Sequence, residues 1–376
     1  MKIAFVLDDT LDTPDGVQQY VLTLGGWLAR QGHEVHYLVG QTARQDIAHV
    51  HALSRNIKVR FNGNRMSMPL PTSRAAIRGL LRAENFDVIH VQMPYSPMMA
   101  HRVILAAPPT TAVVGTFHIA PHTGLVQVAN RLLAVWLRRS LKRFGSLLSV
   151  STAAQDFARQ TYGIETVVLP NVVDVARFAQ AEHYYAYADK LTIVFLGRLV
   201  PRKGCMVLLK AANRLQKQLP RLKFRVVVCG RGPLEEELKK YVADNGMMGI
   251  VEFVGFVNEV DKVRYLKSAD LAVFPSSGGE SFGIVLLEAM AGGRSVVLAA
   301  NNPGYGAVLA PYPDILFPVN DVDALTSKLQ LFLTDPAQRA KALAWQASYI
   351  QQFDTAAVGA RLVAIYQQAL ETARRS

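Results

Sequence analysis

The run Gly278-Gly279-Glu280-Ser281-Phe282-Gly283-Ile284-Val285-Leu286-Leu287-Glu288 sets two carboxylates eight residues apart around a glycine-rich turn. A helix that begins early in this run would project Glu280 and Glu288 from one face. Backbone amides at Phe282, Gly283 and Ile284 would then open the helix, where free N–H groups and the positive end of the dipole hold phosphate. Glu288 suits a ribose hydroxyl and Glu280 the hydroxyls of a sugar ring. Two glutamates at this spacing are common on surfaces; the glycines and the apolar 284–287 make the pattern specific.

A second constellation is Gly197-Arg198-Leu199-Val200-Pro201-Arg202-Lys203-Gly204. A diphosphate leaving group needs its developing charge neutralised, and Arg198 and Lys203 can do this without a metal. The competing reading is a basic solvated loop closed by Gly204. Gly230-Arg231-Gly232-Pro233 ends the next apolar run and reads equally as a neighbour of the same phosphates or as a plain turn. Asp15-Gly16-Val17-Gln18 offers another strand-to-helix turn, either a phosphate cradle at Gly16 or an ordinary turn capped by Asp15. His118 ends an apolar run, in a place open to active-site or structural use.

These groups need rigid elements to hold them. Apolar, β-branched runs at 3–7, 34–39, 58–61, 88–91, 112–117 and 147–150 alternate with helical stretches. The pattern returns at 192–196, 225–229, 251–254, 271–274 and 295–298. Strands apolar throughout, interleaved with helices, predict parallel sheets covered on both faces. The fold class is therefore α/β, two Rossmann-like doubly wound domains facing a central cleft. The N-terminal domain is expected over 1–171 and the C-terminal one over 172–354, with 169–190 as the connection. The helix at about 355–376 is expected to pack back on the first domain.

Composition narrows the classes. The 376 residues suggest two domains, and 50% apolar content excludes a disordered chain. Cys205 and Cys229 are too few for a disulfide framework, lack metal-ligand spacing and suit a reducing compartment. The first ten residues read as a buried strand rather than a leader. No run reaches a membrane-spanning length. Asp321-Val322-Asp323 has the outline of a metal motif but reads better as a helix cap. A net charge of +12 points to anionic partners.

The residues quoted above, with Gly16-Val17-Gln18, Phe61-Asn62-Gly63 and Thr116-Phe117-His118, resemble the retaining glycosyltransferases of the GT-B fold. The hallmark of that family is a Glu-x7-Glu motif. The likeness runs over nearly the whole chain and is strongest to the phosphatidylinositol mannosyltransferases. It implies a nucleotide sugar bound mostly by the C-terminal half: GDP-mannose in the first place, UDP-glucose in the alternative. No tightly bound cofactor and no metal is expected. By resemblance, Arg198 and Lys203 hold the diphosphate, with Gly230 and Arg231 nearby and Gly16 closing from the other domain. Glu288 takes the ribose; Glu280, Ser281, Phe282, Gly283 and Ile284 take the transferred sugar. His118 touches that sugar, and Gln18, Asn62, Arg65 and His118 face a polyol phosphate. Glu280, His118, Arg198 and Lys203 form the catalytic set. The alternative reactions are glucosyl transfer to diacylglycerol and non-catalytic lipid binding on the same scaffold.

The sequence departs from the family pattern at Asp15, Val172, Ile119, Ala120 and His122, all but Val172 on the acceptor side. Two basic amphipathic stretches fit an anionic bilayer, though each also fits a domain helix with solvated arginines. One carries Arg74, Arg78 and Arg82; the other carries Arg138, Arg139, Lys142 and Arg143 beside Trp136. The resulting expectation is a cytoplasmic protein peripheral to the inner face of the cell membrane. Anionic lipids, phosphatidylinositol foremost, are its partners rather than nucleic acid.

Overall fold

The computed structural model describes residues 1–12, 15–61, 64–118, 125–180, 182–184 and 190–375, with 58–61, 64–68 and 125–132 described as backbone. Fifteen strands occur among these: β1 Lys2–Leu7, β2 Glu34–Val39, β3 Val50–Ala52, β4 Asn56–Phe61, β5 Asn64–Pro69, β6 Val88–Gln92, β7 Ala112–Phe117, β8 Ser146–Ser149, β9 Val167–Val168, β10 Leu191–Leu196, β11 Phe224–Cys229, β12 Val251–Gly255, β13 Leu271–Phe274, β14 Val296–Ala300 and β15 Leu316–Phe317. The chain divides into two compact units, one of Met1–Val172 with Thr355–Ser376 and one of Val173–Asp354.

The first unit is built on a seven-stranded sheet in the order β3-β2-β1-β6-β7-β8-β9, with every pairing parallel. Side chains on β1 alternate between two apolar clusters: Ile3, Phe5 and Leu7 enter one, Ala4 and Val6 the other. A strand buried on both faces has no polar period, which is why its sequence reads as an unbroken apolar run. The last helix, Thr355–Arg375, adds Val358, Leu362, Tyr366 and Ala369 to the first cluster. Val358 and Leu362 each contribute about 1.5–3 kcal/mol on burial. A Cβ at Gly359 would overlap the Trp27 indole, so glycine sets how closely this helix meets the helix Gly16–Arg30.

The second unit has a six-stranded sheet ordered β12-β11-β10-β13-β14-β15, again wholly parallel. In both sheets the first strand sits where the order reverses, and ligands of doubly wound sheets bind beyond the carboxyl ends of the strands at such a point.

One expectation needs correction. Residues 58–61 do not join the parallel sheet: β4 pairs antiparallel with β5 as a separate two-stranded hairpin. Turn chemistry overrides the crossover pattern there, because Asn-Gly between two short runs favours a hairpin; the Asn62-Gly63 pair itself lies outside the described residues. The stretch 169–190, read as the connection, contains the boundary between the two units at Val172 and Val173. It contains the helix Val175–Gln180, and Tyr184 docks on the second unit, its hydroxyl 2.9 Å from Asp261 Oδ1. The edge strands β3, β9 and β15, each two or three residues long, carry too little pattern to be read in advance.

Candidate active site

The turn that leaves β10 begins with Gly197 and passes through a single 3-10 turn, Pro201–Lys203, into the helix Cys205–Gln218. Gly204 links the two at φ +72°, and a Cβ there would overlap the Pro275 carbonyl. Only glycine lets this turn lie so close to the chain leaving β13. That contact is reinforced by Ser277 N–H donating to Arg202 O at 2.7 Å. Asn302 holds the β13 loop from behind: its Nδ2 donates to Ser276 O at 2.9 Å while its Oδ1 caps the helix Pro303–Leu309.

This frame brings Glu280 to the cations. Its Oε1 lies 2.7 Å from Lys203 Nζ and 2.9 Å from Arg202 Nη1, with the Ser276 hydroxyl donating at 3.0 Å. Burial by itself pushes the Glu280 carboxyl up. The charge and hydrogen bond of Lys203, the charge of Arg202 and the Ser276 bond outweigh burial and hold it below the usual carboxylate range. Glu280 is therefore ionised at neutral pH.

The two glutamates do not share a helical face, contrary to the early-helix expectation. The helix is Ile284–Ala291, and its N-cap Gly283 adopts φ +96°, so Glu280 stands in the preceding loop. A left-handed residue cannot lie inside a right-handed helix, and this delays the start. Gly283 supplies no side chain to cap the first turn, which leaves its amides suited to an anion. Glu288 is buried on the inner face, 2.5 Å from Lys262 Nζ, and Lys262 also reaches Glu259 at 2.8 Å. Burial lowers the Lys262 pKa, but the two carboxylates overcome it and the net shift is upward. Ser281, Phe282, Gly283 and Ile284 follow Glu280 directly, with the Phe282 ring buried against Phe353.

Arg198 stands exposed on the same turn. Gly230 adopts φ +150° against the Gly197 carbonyl, and Leu199 N–H donates to Arg231 O at 3.0 Å. The β10 and β11 turns are thus adjacent. Arg231, Gly232, Pro233, Glu235, Glu236, Phe253, Val254 and Gly255 line an open pocket beside them.

In the first unit, Gly16 opens the helix Gly16–Arg30, where Asp15 occupies the N-cap but makes no capping bond with its side chain. Gln18 is buried, donating from Nε2 to Thr10 O at 3.1 Å. His118 is buried too, 2.7 Å from Gln92 Oε1 and edge-on to Tyr20; burial pushes its imidazole pKa down to about 3. Arg65 lies on β5, described as backbone, and Asn62 lies outside the described residues. Arg74, Arg78 and Arg82 are exposed on the helix Arg74–Glu84, whose Ile77 and Leu81 turn inward. Arg138, Arg139 and Lys142 are exposed beside Val135 and Trp136. Arg143 departs from that set: its guanidinium donates to the carbonyls of Ala107 and Pro108.

Comparison with known proteins places this architecture. Residues 178–347 match the family "glycosyl transferases group 1", and residues 14–177 match "glycosyltransferase family 4". The phosphatidyl-myo-inositol mannosyltransferase of Mycolicibacterium smegmatis is 32% identical over 98% of this chain and 94% of its own. The chain belongs to the phosphatidyl-myo-inositol mannosyltransferase family. The Mycobacterium leprae member is 30% identical over 98% of this chain and 96% of its own. Among solved structures, a glycosyltransferase from Rickettsia africae superposes with a TM-score of 0.76 at 17% identity, covering 98% of both chains. Anabaena Alr3699/HepE in complex with UDP gives 0.74 at 18% identity, covering 96% of this chain and 98% of its own. The fold is that of the GT-B glycosyltransferases, and this family member is a glycosyltransferase.

Sequence reasoning missed two residues. Arg202 was visible only as one cation among three, and nothing local ranks it above Arg198. Lys262 lies 26 residues from Glu288, and no short-range pattern joins them.

Proposed function

We propose that this glycosyltransferase moves mannose from GDP-mannose to phosphatidylinositol, with retention at the anomeric carbon, at an anionic membrane surface. The observation that carries the reading is the near-full-length likeness to phosphatidyl-myo-inositol mannosyltransferases. A further relative, from Corynebacterium glutamicum, bears a name that specifies GDP-mannose; it is 26% identical over 97% of this chain and 98% of its own.

The proposed roles follow from charge and placement. Arg198 and Lys203, joined by Arg202, neutralise the diphosphate as the bond to the sugar breaks, a task that needs no metal. Glu280 accepts from hydroxyls of the transferred sugar, with the amides at 282–284 beside it. Glu288 accepts from the ribose through the oxygen that Lys262 leaves open. Arg231 borders the open pocket assigned to the base, and Gly230 lies on the turn beside it. The uncapped amides at Gly16 give the first unit an anion-binding end of its own, and Gln18, Asn62, Arg65 and His118 are assigned to the acceptor. His118 is neutral at working pH and serves as a positioned hydrogen-bonding group. Arg74, Arg78, Arg82, Arg138, Arg139 and Lys142 meet anionic lipid on the cytoplasmic face, each worth about 1 kcal/mol near such a surface. Among the described residues no helix is long and apolar enough to cross a membrane.

The test is incubation of the purified chain with GDP-mannose and liposomes, with and without phosphatidylinositol. The expected result is a mannosylated lipid that forms only when the inositol lipid is present. A glucosylated neutral lipid from UDP-glucose, with no product from GDP-mannose, would overturn the reading.

A further inference from the structure

Away from these elements, three histidines meet at the edge of the first sheet. His36 on β2 is buried, and its ring stacks on His49 and His51 at centroid separations of 4.6 and 5.2 Å. His36 Nδ1 lies 2.9 Å from His51 Nε2 and 4.0 Å from Glu84 Oε2, at the end of the helix Arg74–Glu84. The other ring nitrogen of His36 lies 2.9 Å from Glu34 Oε1. A carboxylate there accepts the Nε2 proton and leaves Nδ1 as a bare lone pair aimed at His51 and Glu84. His51 Nε2 must then carry the hydrogen shared between the rings.

We propose that His36 Nδ1, His51 Nε2 and a carboxylate oxygen of Glu84 form a binding site for a divalent transition metal of the zinc class. The three ligand atoms lie within 4.8 Å of one another. Tetrahedral zinc with bonds near 2.0–2.1 Å sets its ligands about 3.3 Å apart, and the spacings of 2.9 and 4.0 Å fall either side of that value. Two imidazoles and one carboxylate are a ligand set that zinc takes, with water in the fourth position. Glu34 stands as the outer partner that fixes the tautomer and raises the basicity of a ligating histidine.

For His51 Nε2 to ligate, its hydrogen moves to Nδ1, a change of tautomer with no net loss of a proton. The competitor is Lys2, whose ammonium is 2.6 Å from Glu84 Oε2 and 3.0 Å from Glu34 Oε1. Lys2 is partly exposed and long enough to swing to solvent. Ligation would join three elements: β2, the edge strand β3, which pairs with β2 alone, and the end of the helix Arg74–Glu84. Its effect on the first unit is to raise stability with metal concentration.

The test uses the full, tag-free chain, stripped with a chelator and titrated with Zn2+ by calorimetry and with Co2+ by absorption. The expected result is one ion per chain, tetrahedral Co2+ bands and a thermal midpoint that rises with Zn2+ but not with Mg2+. His51→Ala and Glu84→Gln, both at partly exposed positions, should each weaken binding at least about tenfold, with circular dichroism checking that each folds. Absence of saturable binding, or unchanged affinity in both variants, overturns the proposal.

Discussion

The two units share a topology and differ at the same turn. After β1 the chain reads Asp8, Asp9, Asp12 and Asp15, with no Lys or Arg before Arg30. After β10 it reads Arg198, Arg202 and Lys203, with no acid before the helix Cys205–Gln218. The doubly wound sheet supplies a strand end at its switch point in both cases; the residues on the turn decide which charge is welcome there. In the first unit burial pushes the carboxyls of Asp8 and Asp9 up to about 6, against the Ser96 and Ala100 bonds to Asp8 and the Thr10 bond to Asp9. In the second, two cations hold Glu280 ionised. One turn carries buried carboxyls and the other sets two cations against a single carboxylate.

Glu280→Ala should break the second half of that contrast hardest. We expect transfer to fall by about 10²–10³-fold, the range for losing one preorganised polar group at a reacting centre. Circular dichroism should show a folded chain. Near-normal turnover in this variant would remove Glu280 from the site.

Lys262→Met tests whether Glu288 is held in the same way. Removing the cation leaves a buried carboxylate unpaired, which costs about 3–5 kcal/mol, read as a lower urea midpoint. An unchanged midpoint would mean that Glu288 reaches water.

His118→Gln sharpens the first half. The His118 pKa is pushed down to about 3 from 6.5, so the unfolded chain binds its proton first as pH falls below 6.5. His118 burial therefore contributes stability above pH 6.5 and loses it progressively toward pH 3. Between pH 7 and pH 5 the difference in unfolding free energy between variant and wild type should move by about 2 kcal/mol in favour of the variant. Asp8→Asn should shift the other way: a carboxyl raised to about 6 gains stability as pH falls from 6 toward 4. Parallel stability curves for His118→Gln and wild type would show that His118 takes up its proton as readily folded as unfolded.

How much of this the sequence showed depends on the range of the interaction. The runs 34–39, 112–117 and 271–274 match β2, β7 and β13 residue for residue, because a strand covered on both faces writes its burial into every position but an exposed end such as Glu34. The hairpin β4–β5 was misplaced because a short apolar run does not say which sheet it joins. The Glu280–Glu288 spacing was legible but its geometry was not: Gly283 at φ +96° starts the helix late, and glycine in sequence does not announce the sign of φ. The choice of Arg202 and Lys203 over Arg198 as partners of Glu280 depends on a contact 78 residues away in the chain. Charge type was readable from the turn; pairing was not.

The central claim, that the cationic turn of the second unit holds the donor diphosphate, is tested most directly by titrating GDP into wild type and Lys203→Ala by calorimetry. The account predicts saturable binding to wild type that weakens as salt rises, and affinity at least about tenfold lower in Lys203→Ala, equivalent to about 1.4 kcal/mol. Equal affinity in the two proteins would contradict it.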